Sequence, residues 1–173
     1  MQMRRPPLRH DEIEARFHAV LGRLTHAHAK LDLQVGWMLR WLGEAGGHDV
    51  AATLTPQVTL AQRLRRLREV TGQAAAPVDP EVAETLGVWL THGAGQSGLR
   101  NDYTRGRWGV PGRWDGDDPE VEFVPIHWQA GRETAPPPQR FKLSELAAQA
   151  AEIERLADRL HLLAWRAVEL AEA

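Results

Sequence analysis

Apolar residues recur at steps of three and four near the start of the chain. Ile13, Phe17, Val20, Leu24, Leu31, Val35, Met38 and Leu42 form the series, and His28 takes one place in it. This period predicts one long helix over 11–44. Asp11 and Glu14 have the spacing of a capping box at its start, and Gly46-Gly47 closes it. Leu33, Trp37 and Trp41 widen the apolar face in the second half, beyond what a single neighbour covers. A helix of that length spans about 50 Å. This exceeds what a bundle of 19.4 kDa needs. The surplus apolar face at Trp37 and Trp41 predicts an interface with a second copy of the chain, hence a homodimer.

Helical periods recur downstream. Thr55-Pro56 predicts the start of a second helix, with Leu60, Leu64 and Leu67 turned inward and an end near Gly72. "QAAAPV" is a linker, and Asp79-Pro80-Glu81 opens a third helix whose apolar positions are Val82, Leu86, Trp89 and Leu90. Gly93, Gly95 and Gly98 follow. Each would cost about 1 kcal/mol against alanine inside a helix. They predict a kink or a close approach by a neighbour, with the helix resuming through Leu99 and Tyr103.

The period then changes. "RWGVPGRW" and "VEFVPIHW", joined by the turn-like "DGDDPE", predict a two-stranded hairpin or an irregular arm, and Pro125 predicts a non-central position for the second strand. "TAPPPQR" reads as a stiff linker. A last helix is predicted from Ser144, as N-cap, to about residue 172, with Leu146, Ile153, Leu156, Leu160, Leu163, Ala167 and Leu170 as its stripe. The expected fold is all-α, an up-and-down four-helix bundle with a small β-hairpin arm between the third and fourth helices. It is expected as a single domain over 1–173, with residues 1–10 a flexible N-terminus and 107–142 the hairpin arm and Pro-rich linker.

Composition narrows the function classes. The absence of cysteine excludes disulfides and thiolate metal sites. No apolar run reaches membrane-spanning length, and the first residues hold no secretory h-region, so a cytoplasmic location is expected without membrane partners. A net charge of −2 gives no global pull toward nucleic acid. Of the 21 basic residues, however, only Lys30 and Lys142 are lysine. Arginine binds oxyanions bidentately, and a GC-rich coding sequence also favours it.

No cofactor is expected. "GAGQSG" (93–98) matches Gly-x-Gly-x-x-Gly, but it lies in a helical segment and not at a strand-to-helix turn. No metal site is expected either. The nearest approach to one is His28 with Asp32, four apart on one helix face, and no glutamate has a histidine three positions later. The alternative for that pair is a core histidine bonded to Asp32. Arg63, Arg65, Arg66 and Arg68 precede Arg100, Arg105, Arg107 and Arg113. If their faces adjoin, they form a phosphate-sized patch with Tyr103, Trp108 and Trp114 available for stacking. Otherwise they form a solvated face balanced by carboxylates.

"SGLRNDYTRGRW" (97–108) carries a family resemblance. Arg100-Asn101 near the end of the third helix, followed by Gly106-x-Trp108, resembles the HEPN superfamily, whose motif is arginine, a polar residue and then histidine, often with Gly-x-Trp after it. Many members are metal-independent ribonucleases, and others are non-catalytic partners in toxin–antitoxin or defence systems. Here Arg105 stands where the histidine belongs. Histidine exchanges protons near neutral pH and arginine does not. Losing that acid–base group should cost about 10²–10⁴ in rate.

The resemblance therefore implies a module that has lost hydrolysis and binds an anionic partner, RNA or nucleotide. The expected contacts are Arg100, Asn101, Tyr103, Arg105, Arg107, Trp108, Arg63 and Arg66. An antitoxin-type protein partner is also implied. Were activity retained, it would be endoribonuclease activity drawing on Arg100, Asn101 and His92. The third reading is a structural or protein-interaction bundle without nucleic-acid contact.

Overall fold

A computed structural model of the chain describes residues 7–72, 79–96, 106–125 and 137–172. These residues are mostly helical, with four α-helices and two small antiparallel sheets. They group into two compact units. One holds the described residues within 1–26 and 99–151, the other those within 27–98 and 152–173. No described helix is long and apolar enough to cross a membrane.

Helix α1 (His10–Gly46) begins earlier than the Asp11–Glu14 pair predicts. Its cap is made by Glu12, whose Oε2 accepts from the Arg9 backbone N–H at 2.9 Å. This leaves Asp11 and Glu12 in the first turn, where the exposed N–H groups favour negative charge. The helix closes as the glycine pair predicts: Gly47 takes φ +68, and the His48 N–H donates to the Gly43 carbonyl at 2.8 Å.

In the first unit, β1 (Leu8–Arg9) pairs antiparallel with β3 (Arg113–Trp114). The stretch expected to be a flexible N-terminus is thus structured from Leu8 onward. A second sheet has the order β2 (Gly106–Gly109), β4 (Glu120–Pro125), β5 (Gln139–Lys142). The sheet therefore has three strands where the pattern predicts a two-stranded hairpin, and β4 is central despite Pro125. The reason is register. β5 pairs only with Glu120 to Phe123, so Pro125 lies past its end and owes that neighbour no donor.

β4 alternates strictly, with Val121, Phe123 and Pro125 buried and Glu120, Glu122 and Val124 half-exposed. Ile13 and Phe17 of α1 belong to the core of this unit, as do Val121, Phe123, Leu143, Leu146 and Ala150. Trp108 of β2 packs on Phe123 at 4.7 Å, Phe17 at 5.2 Å and Phe141 at 5.9 Å between ring centroids. Fully burying a large apolar side chain contributes about 1.5–3 kcal/mol, and the half-buried Trp108 realises part of that.

The last helix, α4 (Leu143–Glu172), begins one residue before Ser144. Its first turn is capped from outside. The Leu143 N–H donates to the Pro119 carbonyl at 3.0 Å, and the Ser144 N–H to Asp118 Oδ1 at 3.0 Å. Glu145 also accepts from the Lys142 N–H at 2.9 Å. Ser144, predicted as the N-cap, instead donates its hydroxyl to Asp118 Oδ2 at 2.6 Å. That bond holds the Asp118 carboxyl below the ordinary aspartate range; the backbone bond and the Lys142 charge add to the effect, and desolvation opposes it.

A depressed folded-state pKa gives stability that is present above the unfolded value and lost as pH falls through the folded one. Ser144→Ala should therefore raise the Asp118 pKa, read from its carboxyl ¹³C titration. The stability deficit of this variant should be largest near neutral pH and should shrink in acid. A deficit independent of pH would contradict this coupling.

In the second unit, α1 is followed by a 3₁₀ turn (Ala51–Leu54), α2 (Leu60–Thr71) and α3 (Pro80–Gln96), and the later part of α4 completes it. The predicted start at Thr55-Pro56 is displaced to Thr59, which forms a full capping box with Gln62. Thr55 stays extended because it ends the 3₁₀ turn. α3 starts as predicted: Asp79 Oδ1 accepts from the Glu81 N–H at 2.9 Å and the Val82 N–H at 3.3 Å, with proline in the first helical position.

Gly93 remains inside α3, where a Cβ would come within 3.3 Å of the Trp89 ring and 3.8 Å of Leu64. The resumption through Leu99 and Tyr103 lies outside the described residues. The core here is Leu31, Val35, Met38, Leu39 and Leu42 of α1, Leu64 and Leu67 of α2, Leu86, Trp89 and Leu90 of α3, and Ile153, Leu156 and Leu160 of α4. Among the polar residues of this unit, His28 is buried, 1% exposed. The Trp89 indole N–H, itself buried, donates to the Leu156 carbonyl at 2.8 Å.

Candidate functional site

Of the residues assigned to an anionic ligand, Arg100, Asn101, Tyr103 and Arg105 lie outside the described residues. Arg63, Arg66, Arg107 and Trp108 lie within them.

Arg63 projects from α2 with only 13% of its side chain exposed. Its Nη1 donates to Asp32 Oδ1 at 2.9 Å, its Nη2 to the Thr55 carbonyl at 3.0 Å and its Nε to the Thr53 carbonyl at 3.3 Å. The guanidinium therefore clamps α1, the 3₁₀ turn and the segment after it. Asp32, one half of the pair considered for metal, gives an oxygen to this clamp. No group of three or more potential ligand side chains occurs among the described residues. Arg66 is engaged in the same way, donating to Glu69 Oε2 at 3.1 Å and to the Asp49 carbonyl at 3.4 Å. The two arginines of α2 assigned to phosphate are thus turned toward the protein's own acceptors.

Trp108, assigned to base stacking, is half-buried against three phenylalanines. Arg107 is exposed between Gly106 and Trp108, as alternation along a strand requires. His92 is exposed on α3 in the second unit.

Trp37 and Leu33, one turn apart on α1, are 61% and 57% exposed, while Trp41 is half-buried. Beside them lies a depression of about 270 Å³ lined by Gly36, Leu54 of the 3₁₀ turn, Arg40 and the Asp32–Arg63 pair. The clamp thus shapes the ground next to the exposed tryptophan. Arg40 Nε bonds Glu44 Oε1 at 2.9 Å on the same helix, so the charged end of this face is already paired.

The structure also exposes a second apolar surface, one that the sequence reading does not predict. Val88 on α3 and Leu162 and Trp165 on α4 are 59%, 67% and 62% exposed. Val88 and Leu162 flank a groove of about 280 Å³ between the two helices. Arg166 of α4 meets Glu81 at 2.8 Å, and Trp89 bonds the Leu156 carbonyl, so the helices run antiparallel along it. The signal was available in the phase of α4: Leu162 and Trp165 fall off the stripe formed by Ile153, Leu156, Leu160 and Ala167.

No protein-family model, curated protein or solved structure matches the chain.

Proposed function

We propose that this chain is a non-catalytic, HEPN-like helical module that works by binding, and that one of its partners is a second copy of itself. In this reading the four helices make an up-and-down bundle, the strands between the third and fourth form its arm, and the Trp37 face of α1 is the dimer contact. The observation that supports it is the pair Leu33 and Trp37, both more than half exposed on one helix face. Large apolar side chains grouped on a surface mark interaction sites. Each such side chain removed from water contributes about 1.5–3 kcal/mol, and a two-fold interface counts every contact twice.

Light scattering after size exclusion tests this. The wild type should run at about twice 19.4 kDa at micromolar concentration. Trp37→Arg, on an exposed side chain, should fold normally and run as a monomer, with association weakened about 100-fold or more. A wild type that stays monomeric at about 100 μM would refute the self-association.

A second reading, binding of RNA or nucleotide, is favoured by the Arg100-Asn101 and Arg105-Gly106-Arg107-Trp108 pattern and by the exposure of Arg107. The same sizing run with tRNA added at low and high salt addresses it. Phosphate contacts give co-migration that is lost steeply as salt rises. Metal-independent cleavage of the tRNA that disappears in Arg100→Ala would overturn the non-catalytic assignment and install an endoribonuclease of HEPN type.

A further inference from the structure

The groove between α3 and α4 has an apolar floor, and the charged side chains that line it are basic. Val88, Leu162 and Leu163 supply apolar surface, and Trp89 is held in place by its bond to the Leu156 carbonyl. The charged and titratable residues lining it are His92, Arg159 and Arg166; no carboxylate lines it. Arg166 is matched by Glu81. The carboxylates adjoining Arg159 on α4 are committed elsewhere: Asp158 to Lys30 at 2.6 Å, and Glu152 to Arg155. Arg159 has no ion-pair partner among the described residues. From Thr85 to His92 the groove runs alongside two turns of α3, about 10 Å.

We infer that this groove, lined by Val88, Trp89, Leu162 and Arg159, is a docking site for an acidic amphipathic helix of a partner protein. Such a helix would lay apolar anchors at i, i+3 or i+4, and i+7 into the groove. Its flanking carboxylates would face Arg159 and the rim. A basic or uncharged helix of the same apolar pattern would leave Arg159 unmatched, so the rim charge selects among partners. This surface is separate from the Trp37 face, and the inference does not rest on self-association.

The test is anisotropy of a fluorescein-labelled, 18-residue helical peptide with leucine at i, i+3, i+4 and i+7 and glutamate on its flanks, titrated with the full chain. Binding should be at least about tenfold tighter than for the same peptide with lysine in place of glutamate. Arg159→Glu should weaken the acidic peptide about tenfold or more and improve the lysine peptide. Leu162→Ser should weaken both, and Trp37→Arg should change neither. The two groove substitutions are at exposed positions, and unchanged circular dichroism would establish their folding.

Absence of binding, or equal binding of the two peptides, would overturn the inference. So would self-association that is lost in Leu162→Ser but kept in Trp37→Arg, because the groove would then belong to a second copy. Displacement of the peptide by Arg159→Glu but not by Leu162→Ser would also overturn it, since the contact would then be charge alone.

Discussion

Gly106→Ala should destabilise the protein by about 3 kcal/mol or more, among the largest effects of any single methyl group in this chain. A Cβ at Gly106 would run into the Phe123 ring and come 2.7 Å from the Val124 carbonyl oxygen. Phe123 is 1% exposed and packs on Trp108, so a shift of its ring would disturb that contact too. The β2–β4 pairing, in which Gly106 stands opposite Pro125 and Trp108 opposite Phe123, would have to open. Urea unfolding followed by tryptophan fluorescence measures the loss, and hydrogen exchange should show β2 and β4 losing protection first. A midpoint equal to the wild type would show that the sheet relaxes freely.

The result also bears on the family resemblance. Gly106 and Trp108 are two apart in a strand, so they share a face, and that face meets Phe123. The Gly-x-Trp spacing thus has a packing reason of its own: a bare α-carbon beneath one ring and an indole against it. Arg107, between them, is turned to the exposed side.

Arg63→Met should cost about 2–4 kcal/mol. It deletes three hydrogen bonds and leaves Asp32, at 22% side-chain exposure, without its guanidinium partner. Residual water contact at Asp32 keeps the value below that of a fully buried pair. Arg63→Lys should recover little, because a single ammonium cannot reach a carboxylate and two carbonyls in three directions. A cycle with Asp32→Asn should show a coupling of about 1–2 kcal/mol. An Arg63→Met protein with unchanged stability but weakened tRNA binding would reverse the assignment, making Arg63 a ligand contact instead of a clamp.

The helices of this protein are legible in the order of its residues alone. α1, α3 and most of α4 were readable because their buried residues repeat within one chain segment. Ile13 to Leu42 and Leu146 to Ala167 stay in phase with a helical turn, and all but Val20 and Leu163 of those stripes are buried. Of the surplus face expected at Trp37 and Trp41, Trp37 is exposed together with Leu33, out of phase with that core, while Trp41 is half-buried. Where the capping partners were local and side-chain-made, as at Asp79, the boundary was readable too.

The remaining features depend on contacts made in space, and in each case the partner is distant along the chain. α4 is capped by Asp118 and Pro119, more than twenty residues upstream. β5, "QRFK", has one apolar residue and no strand pattern of its own; it is a strand because β4 offers it a register. The clamp at Arg63 depends on Asp32, 31 residues away. Periodicity is written in neighbours a turn apart, and so can be read in order. A hydrogen bond or a strand pairing needs two groups to meet in space, and which ones meet is settled only when the chain has closed on itself.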